Sequence, residues 1–534
     1  MFKKLLNDSG FLFLIHKKKY GELLKLIALY GVDKVKKSSQ KHIDKIDKID
    51  LSFENLINIT NLHLKNEKQA LYQIQLVGLE VNLSDTIFDY EFKDQESLFS
   101  VYRFRWLLIG LEHYQDYGFV KASIHVINKW IENFEVSGKK INETYSICER
   151  LLNILYFILV VKKNDASLLN ELKVKKLEQI YKVQILDILN NIEDRGKYTN
   201  NHIINNARAL YILGGVFQNN DLIQRAKKIL DTHLHNHIKE GVLLEGSFHY
   251  QVLLTRTILE MYHIALKIDD DEMMRVLRPY VVQMLSVTQS LHSDFSDKYP
   301  VIGDISPDFP IEFFQGYPFS KSQQNSPWNN LFHINFTDID FTFKSQYQYW
   351  EKYIFDAIEI WIVKKNNGLL PHGHNDNGSF HIFYQGQPIL IDIGRFTYER
   401  NTMYDFMLLQ SMHNGIANDI DLGRSSVFFG YFNKISSVKV KKNKNQIDVV
   451  LVDCFNEKKF SYSLSIGEKS ITIQSKTMLQ LFFSTIDTIK QNSIEVGDLK
   501  IIVKNKKIVL DNILCANNYG DIVLAQKVIG MNDD

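Results

Sequence analysis

The residues with the greatest chemical reach crowd into one stretch, PHGHNDNGSFHIFYQGQPILIDIGRFTYERNTMYDFMLLQSMHNG, which carries His372, His374, Asp376, His381, Asp392 and His413. Two histidines one residue apart share a strand face or converge from a turn. With a carboxylate on the adjacent strand and a later histidine, they offer the imidazole and carboxylate ligands that zinc takes. The spacing is not that of a closed zinc finger, and the competing reading is a cluster of hydrogen-bonded surface groups.

Two further segments carry candidates. In TNNHIINNARALYILGGVF, Asn201 and His202 precede an apolar run and so fall near a helix N-terminus, where free backbone N–H groups and the helix dipole favour an anion. An asparagine amide can donate to a carboxylate there; the plainer alternative is that Asn201 caps the helix and His202 packs beside it. In EGVLLEGSFHYQVLLTRTILEMY, a loop holding Glu245, Ser247, His249 and Tyr250 runs into a long helix. Tyr250 is either a core or rim aromatic, or a hydroxyl that transfers protons beside a cation. The alternating His233, His235 and His237 mimic strand ligation, but they follow a helical run and precede a Gly turn, so they are read as a helix ending.

The elements that must position these residues follow from proline placement and apolar period. All eight prolines lie at or after Pro279, so the first half lacks the strongest helix breaker and shows three-to-four-residue apolar spacing. Ala207, Leu210, Gly214 and Phe217 form one helical face, and Leu253, Leu254, Thr257, Ile258, Met261 and Tyr262 another. VIGDISPDFPIEFFQGYPFS reads as extended loop and marks a junction between Pro300 and Pro327. After about Trp350 the pattern turns to short β-rich runs: SFHIFY, PILIDI, IDVVLVD, SYSLSI, SITIQSKTM and KIIVKNKKIVL. The expected division is a helical lead-in over 1–60, a helical catalytic domain over 61–345 and an antiparallel β-sandwich over 346–534.

Length and composition agree with this division. The chain of 534 residues exceeds the roughly 250–300 at which single cores split. With 45% hydrophobic and 23% charged residues it reads as globular, with no membrane-spanning segment expected. Lys plus Arg (63) balance Asp plus Glu (62), which argues against nucleic acid as a partner and confines any anionic ligand to a local site. Cys148, Cys454 and Cys515 show no paired spacing, so no disulfide framework is expected. The apolar run Phe11 to Ile15 is too short for a secretory core, which favours the cytoplasm by default, with the periplasm as the alternative. Oligomeric state is not legible.

Taken in order, NNHIINNARAL, EGVLLEGSFHYQ, PVIGDISPD, HGHNDNGSF, PILIDIGRFTYE and SMHNG resemble the heparinase II/III family, which includes oligoalginate lyases. The resemblance implies an incomplete (α/α) toroid followed by a β-sandwich, an α+β multidomain chain acting as a polysaccharide lyase. It places Asn201 and His202 against a uronate carboxylate. It gives Tyr250 a proton-transfer role, with the family's Ser-Pro-x-Tyr-His pattern matched by Ser247 to Gln251 but for the Pro and the final His. It makes His372 the second catalytic candidate, and His374, Asp392 and His413 the ligands of a structural divalent ion, for which zinc is the best match. Glu245, Arg395 and Tyr398 fall in the substrate cleft.

Elimination from a 4-linked uronate needs carboxylate neutralisation, a base at C5 and an acid at the leaving oxygen, and it needs no organic cofactor. Asn201 with His202 supplies the first; Tyr250 and His372 supply the others in an order the sequence leaves open. The expected partner is an acidic polysaccharide or oligosaccharide. The alternatives are a glycan-binding or processing protein of a surface-polysaccharide pathway, and a glycoside hydrolase using two of Glu245, Asp304 and Asp308. The chain has no GxxxxGKS/T, strand-bounded GxGxxG or GxSxG, which weighs against nucleotide and serine-hydrolase chemistry.

Overall fold

Helices alternate between fully buried and half-buried along the chain. They are α1 (Gln95–Tyr102), α2 (Arg105–Tyr114), α3 (Tyr117–Glu132), α4 (Thr144–Asp165), α5 (Val174–Asn190), α6 (His202–Val216), α7 (Asn220–His237), α8 (Phe248–Lys267), α9 (Asp271–Leu291) and the short α10 (Pro327–Phe332). This computed structural model describes residues 49 and 51–532, apart from 67–70, 77–78, 93–94, 135–142, 195–198, 321, 323, 335–343, 345, 366–369, 396, 399–406, 409, 417–435, 454–457, 491, 505 and 519–520. Most of the expected 1–60 lead-in, and Cys454, therefore lie outside the described residues.

In α7 the buried Leu222, Ala226, Leu230 and Leu234 recur every fourth residue, the stripe of an outer helix. In α6 every residue from Ile203 to Val216 is buried, and in α8 every residue from Phe248 to Ala265. The single apolar face read from the sequence of α6 thus understates its burial. It is an inner helix, touching α4 and α8 as well as its outer partner α7. Its polar residues are paired inside: Arg208, with no exposure, donates to Glu149 at 2.5 Å and Glu260 at 2.6 Å. The inner α4 and the turn after it form the one described helix apolar and long enough to cross a membrane, and its apolar stretch is buried among other helices. This two-layered helical toroid leads into the sheets.

Two small hairpins, β1 (Gln73–Leu76) with β2 (Leu79–Asn82) and β3 (Ile238–Lys239) with β4 (Val242–Leu243), decorate the toroid. The sandwich begins with β5 (Trp350–Phe355), β6 (Ile358–Val363), β7 (Phe380–Tyr384), β8 (Gln387–Leu390) and β9 (Gly415–Ile416). It continues with β10 (Ser436–Asn443), β11 (Gln446–Asp453), β12 (Lys459–Gly467), β13 (Ser470–Ser475), β14 (Leu479–Phe483), β15 (Thr488–Lys490), β16 (Ser493–Val496), β17 (Leu499–Val503), β18 (Lys506–Asn518) and β19 (Asp521–Asn532).

One sheet runs β18-β19-β14-β8-β7-β6-β5 with β9 beside β14, and the other β10-β11-β12-β13-β17-β16-β15. Pairing is antiparallel apart from β13 with β17, which run parallel. The run KIIVKNKKIVL therefore supplies two strands to two different sheets. Ile360, Ile382 and Leu481 of the first sheet meet Val449, Leu464 and Ile473 of the second in one core. The other face of the first sheet, through Trp350, Trp361 and Phe383, joins the helical core. Covered on both sides, β6 and β7 are buried at every residue and are apolar apart from Glu359 and His381.

Candidate active site

Three segments distant in sequence close on one another where the toroid meets the first sheet. Gly303, at φ +78°, sits so tightly that a Cβ there would lie 2.6 Å from the carbonyl oxygens of both Gly246 and His372, so only glycine fits. Backbone hydrogen bonds lock the same junction: Phe248 N donates to Ile302 O at 2.9 Å, His372 N to Glu245 O at 3.0 Å and Asp304 N to His372 O at 2.9 Å. The region read as extended loop at a junction is thus the spine of the site.

Ser247 caps α8, its Oγ accepting from Tyr250 N at 3.2 Å while donating to Asp304 O at 2.7 Å. The cap places Tyr250 in the first turn of the inner helix, where its ring stacks on His372 with centroids 3.6 Å apart and planes 10° from parallel. Gln251, standing where the resemblance has histidine, holds the β3–β4 turn through Leu243 N and Gly241 O. His249 is buried, and burial pushes its imidazole down to about 3, so it stays neutral and accepts from Ser306 N at 3.1 Å.

Asp304 is the hub that the sequence offered only as a hydrolase carboxylate. With no exposure, it meets His372 Nδ1 at 3.0 Å, Arg395 Nη1 at 2.7 Å and Tyr398 Oη at 3.2 Å through Oδ2, and His374 Nε2 at 2.8 Å through Oδ1. Tyr398 Oη also lies 3.0 Å from Tyr250 Oη. Burial raises the Tyr250 hydroxyl far above the ordinary phenol range, with only a lesser opposing effect from Tyr398, so it is a neutral proton donor. Arg395 was expected to touch substrate; instead it is fully buried, bonded to Asp304 and Thr397 O and stacked 3.9 Å over the Tyr398 ring.

Asn201 is not a side-chain cap. Its own backbone is already helical (φ −53°, ψ −19°), and its N–H donates to Glu245 Oε1 at 2.6 Å. The anion favoured at this helix start is thus supplied from within the chain. Asn201 Oδ1 and Glu245 Oε2 are buried without a hydrogen-bond partner, and Glu245 Oε2 lies 3.5 Å from His372 Nε2. Burial, opposed in part by His372, raises the Glu245 carboxyl.

His202 turns to a second group. Its Nδ1 is 3.0 Å from Glu193 Oε1 and 3.7 Å from Glu143, and its ring lies 4.5 Å from that of Tyr145. Tyr145 and Arg103 both bond Asp308 at 2.7 Å. His233, His235 and His237 end α7, as read from the sequence.

His374, Asp392 and His413 converge, one ligand atom of each lying within 4.8 Å of the others. Asp392 follows the end of β8 and is not on the strand, and the two histidines come from turns before β7 and β9. His413 Nδ1 holds Asp392 Oδ2 at 2.7 Å, while His374 Nδ1 and His413 Nε2 are buried without partners. Two bare nitrogens beside a carboxylate fit a tetrahedral divalent ion, and the Asp304 contact to His374 Nε2 is the outer carboxylate such a ligand usually has.

Residues 362–458, which include His374, Asp392 and His413, match the family Heparinase II/III-like, C-terminal. Among solved structures, "Crystal Structure of Heparinase III" is similar with a TM-score of 0.54 at 13% identity, over 98% of this chain and 89% of the other. "Heparinase III-BT4657 gene product" is similar with a TM-score of 0.50 at 13% identity, over 84% and 79%. No curated protein matches by sequence. Residues 362–458 thus match the Heparinase II/III-like, C-terminal family, and the chain as a whole shares the toroid-and-sandwich fold of the solved heparinase III structures.

Proposed function

We propose that the protein is a polysaccharide lyase that cleaves a 4-linked, uronate-containing acidic polysaccharide or oligosaccharide by β-elimination. The observation that carries this reading is the Tyr250–His372 pair, a neutral phenol stacked on an imidazole whose Nε2 has no hydrogen-bond partner. His372 Nε2 takes the C5 proton, the C–H electron pair becomes the C4=C5 bond, and the C4–O bond breaks as Tyr250 gives its proton to the leaving oxygen. Water then returns the proton from imidazolium to phenolate.

The Asn201 amide donates to the uronate carboxylate, which acidifies C5. Glu245, which accepts from the Asn201 backbone N–H, borders the same position. His202, held by Glu193, borders this pocket. His374, Asp392 and His413 are the residues that would hold one zinc ion, which would tie the loops before β7 and β9 to the end of β8. No organic cofactor enters the scheme.

Rings stacked 3.6 Å apart reach the substrate from one side, which suits uronates whose C5–H and C4–O share a face, D-glucuronate and D-mannuronate, over L-iduronate and L-guluronate. Hydrolysis is the poorer fit because Asp304 and Asp308 are committed acceptors of buried cations and hydroxyls. The test is a screen of uronate polymers for the unsaturated, ultraviolet-absorbing end. Reducing ends without that absorbance would establish hydrolysis, and binding without either product would leave a glycan-binding protein.

A further inference from the structure

Asp304 is a single buried carboxylate that touches the proton-transfer histidine, a candidate metal ligand, the tyrosine beside Tyr250 and a buried arginine. A clamp between loops needs no more than one or two of these contacts. Here three converge on one oxygen, Oδ2, and two of those three partners touch Tyr250, His372 through its ring face and Tyr398 through its hydroxyl. An ionised carboxylate only accepts hydrogen bonds, so His372 must present Nδ1–H to it. The remaining nitrogen, Nε2, then carries the lone pair, and it lies on the Glu245 side of the ring, 3.5 Å from Oε2.

We infer that Asp304 is a positioning residue for proton transfer, fixing the His372 ring in the Nδ1–H form with Nε2 toward the reacting atoms and holding Tyr398 against Tyr250. The inference rests on the lyase reading for its catalytic consequence but not for the tautomer itself. Arg395 Nη1 lies 2.7 Å from the same Oδ2, so its guanidinium balances the charge of Asp304. The arrangement parallels the aspartate that orients a histidine base in hydrolytic triads, where loss of the charge with retention of shape leaves the wrong tautomer.

The test has two arms. In the wild-type protein labelled with ¹⁵N-histidine, and assigned by the signal lost in His372→Gln, His372 should show a protonated Nδ1 and a bare Nε2. Protonation of Nε2 in the free enzyme overturns the inference, whether or not substrate is ever turned over. In Asp304→Asn, the Nδ1–H signature should be lost, and kcat should fall roughly 100-fold or more while KM stays within about 3-fold. A kcat within about 5-fold of wild type, or a loss confined to KM, overturns it. If Asp304→Asn does not fold, Tyr398→Phe removes one of the two links while leaving Asp304 on His372. It should keep the wild-type tautomer and lower kcat, and an altered tautomer there counts against Asp304 as its cause.

Discussion

Tyr250 and His372 lie face to face, their ring centroids 3.6 Å apart and their planes 10° from parallel, although 122 residues separate them in the chain. One comes from the first turn of an inner toroid helix and the other from the connection between β6 and β7 of the first sheet. The proposed proton transfer therefore depends on how helices and sheet meet.

Tyr250→Phe keeps the stack and deletes the hydroxyl. Product formation should drop by roughly 100-fold to 10,000-fold, the usual contribution of a positioned acid, while thermal stability and polymer binding stay close to wild type. Asn201→Ala should lower turnover and also weaken uronate binding, and His372→Ala should chiefly reduce turnover. Side-by-side kinetics and binding separate the three, and a fully active Tyr250→Phe would remove Tyr250 from the mechanism.

The proposed transfer of both protons from one side predicts stereochemical choice. Matched oligosaccharides containing D-glucuronate or D-mannuronate should be cleaved at least about 10-fold faster than their C5 epimers, a difference of about 1.4 kcal/mol in barrier. Equal rates on both epimers would show that the base and acid reach opposite faces.

The purified protein should hold about one zinc ion per chain, given three ligands of the types that zinc takes. His413→Ala or His374→Ala should lose it, and chelation should lower the melting temperature of the wild type but not of the variants. Elemental analysis that finds no divalent metal in protein purified without chelator would leave His413 and Asp392 as a plain buried ion pair.

Buried histidines set an acid limit. Burial pushes His249 down to about 3 and His263 to about 4, against about 6.5 for a free imidazole. Because the folded values are the lower ones, the unfolded chain binds more protons below about pH 6.5. Their contribution to stability is whole above that pH and is lost as pH falls toward 4 and 3. Melting temperature should fall between pH 7 and pH 5, and His263→Gln should flatten the slope; a melting temperature unchanged over that range would contradict the neutral state.

Arg208 tests the toroid interior. It has no exposure and makes the short ion pairs to Glu149 and Glu260, so Arg208→Ala leaves these two buried carboxylates with the longer Arg256 contacts, 3.4 and 3.6 Å, as their remaining ion pairs and should cost about 3–5 kcal/mol. A denaturant midpoint close to wild type would mean that water or rearrangement replaces the guanidinium.

What the sequence determined by itself was whatever depends on near neighbours. Period and proline placement separated helices from strands, Tyr250 was read on a loop running into a long helix, and the family resemblance gave His374, Asp392 and His413 as a ligand set whose side chains the fold does bring together. What only the tertiary structure decided was which charged groups face one another. Asp304, in a segment that read as extended loop, became the hub of the site; Glu245 took the anion position ahead of Asn201; His202 turned to Glu193; and Arg395 was consumed by Asp304. These are buried polar pairings between segments up to 94 residues apart, chosen because each charge removed from water must find a partner wherever the chain brings one. Local periodicity carries no record of that choice.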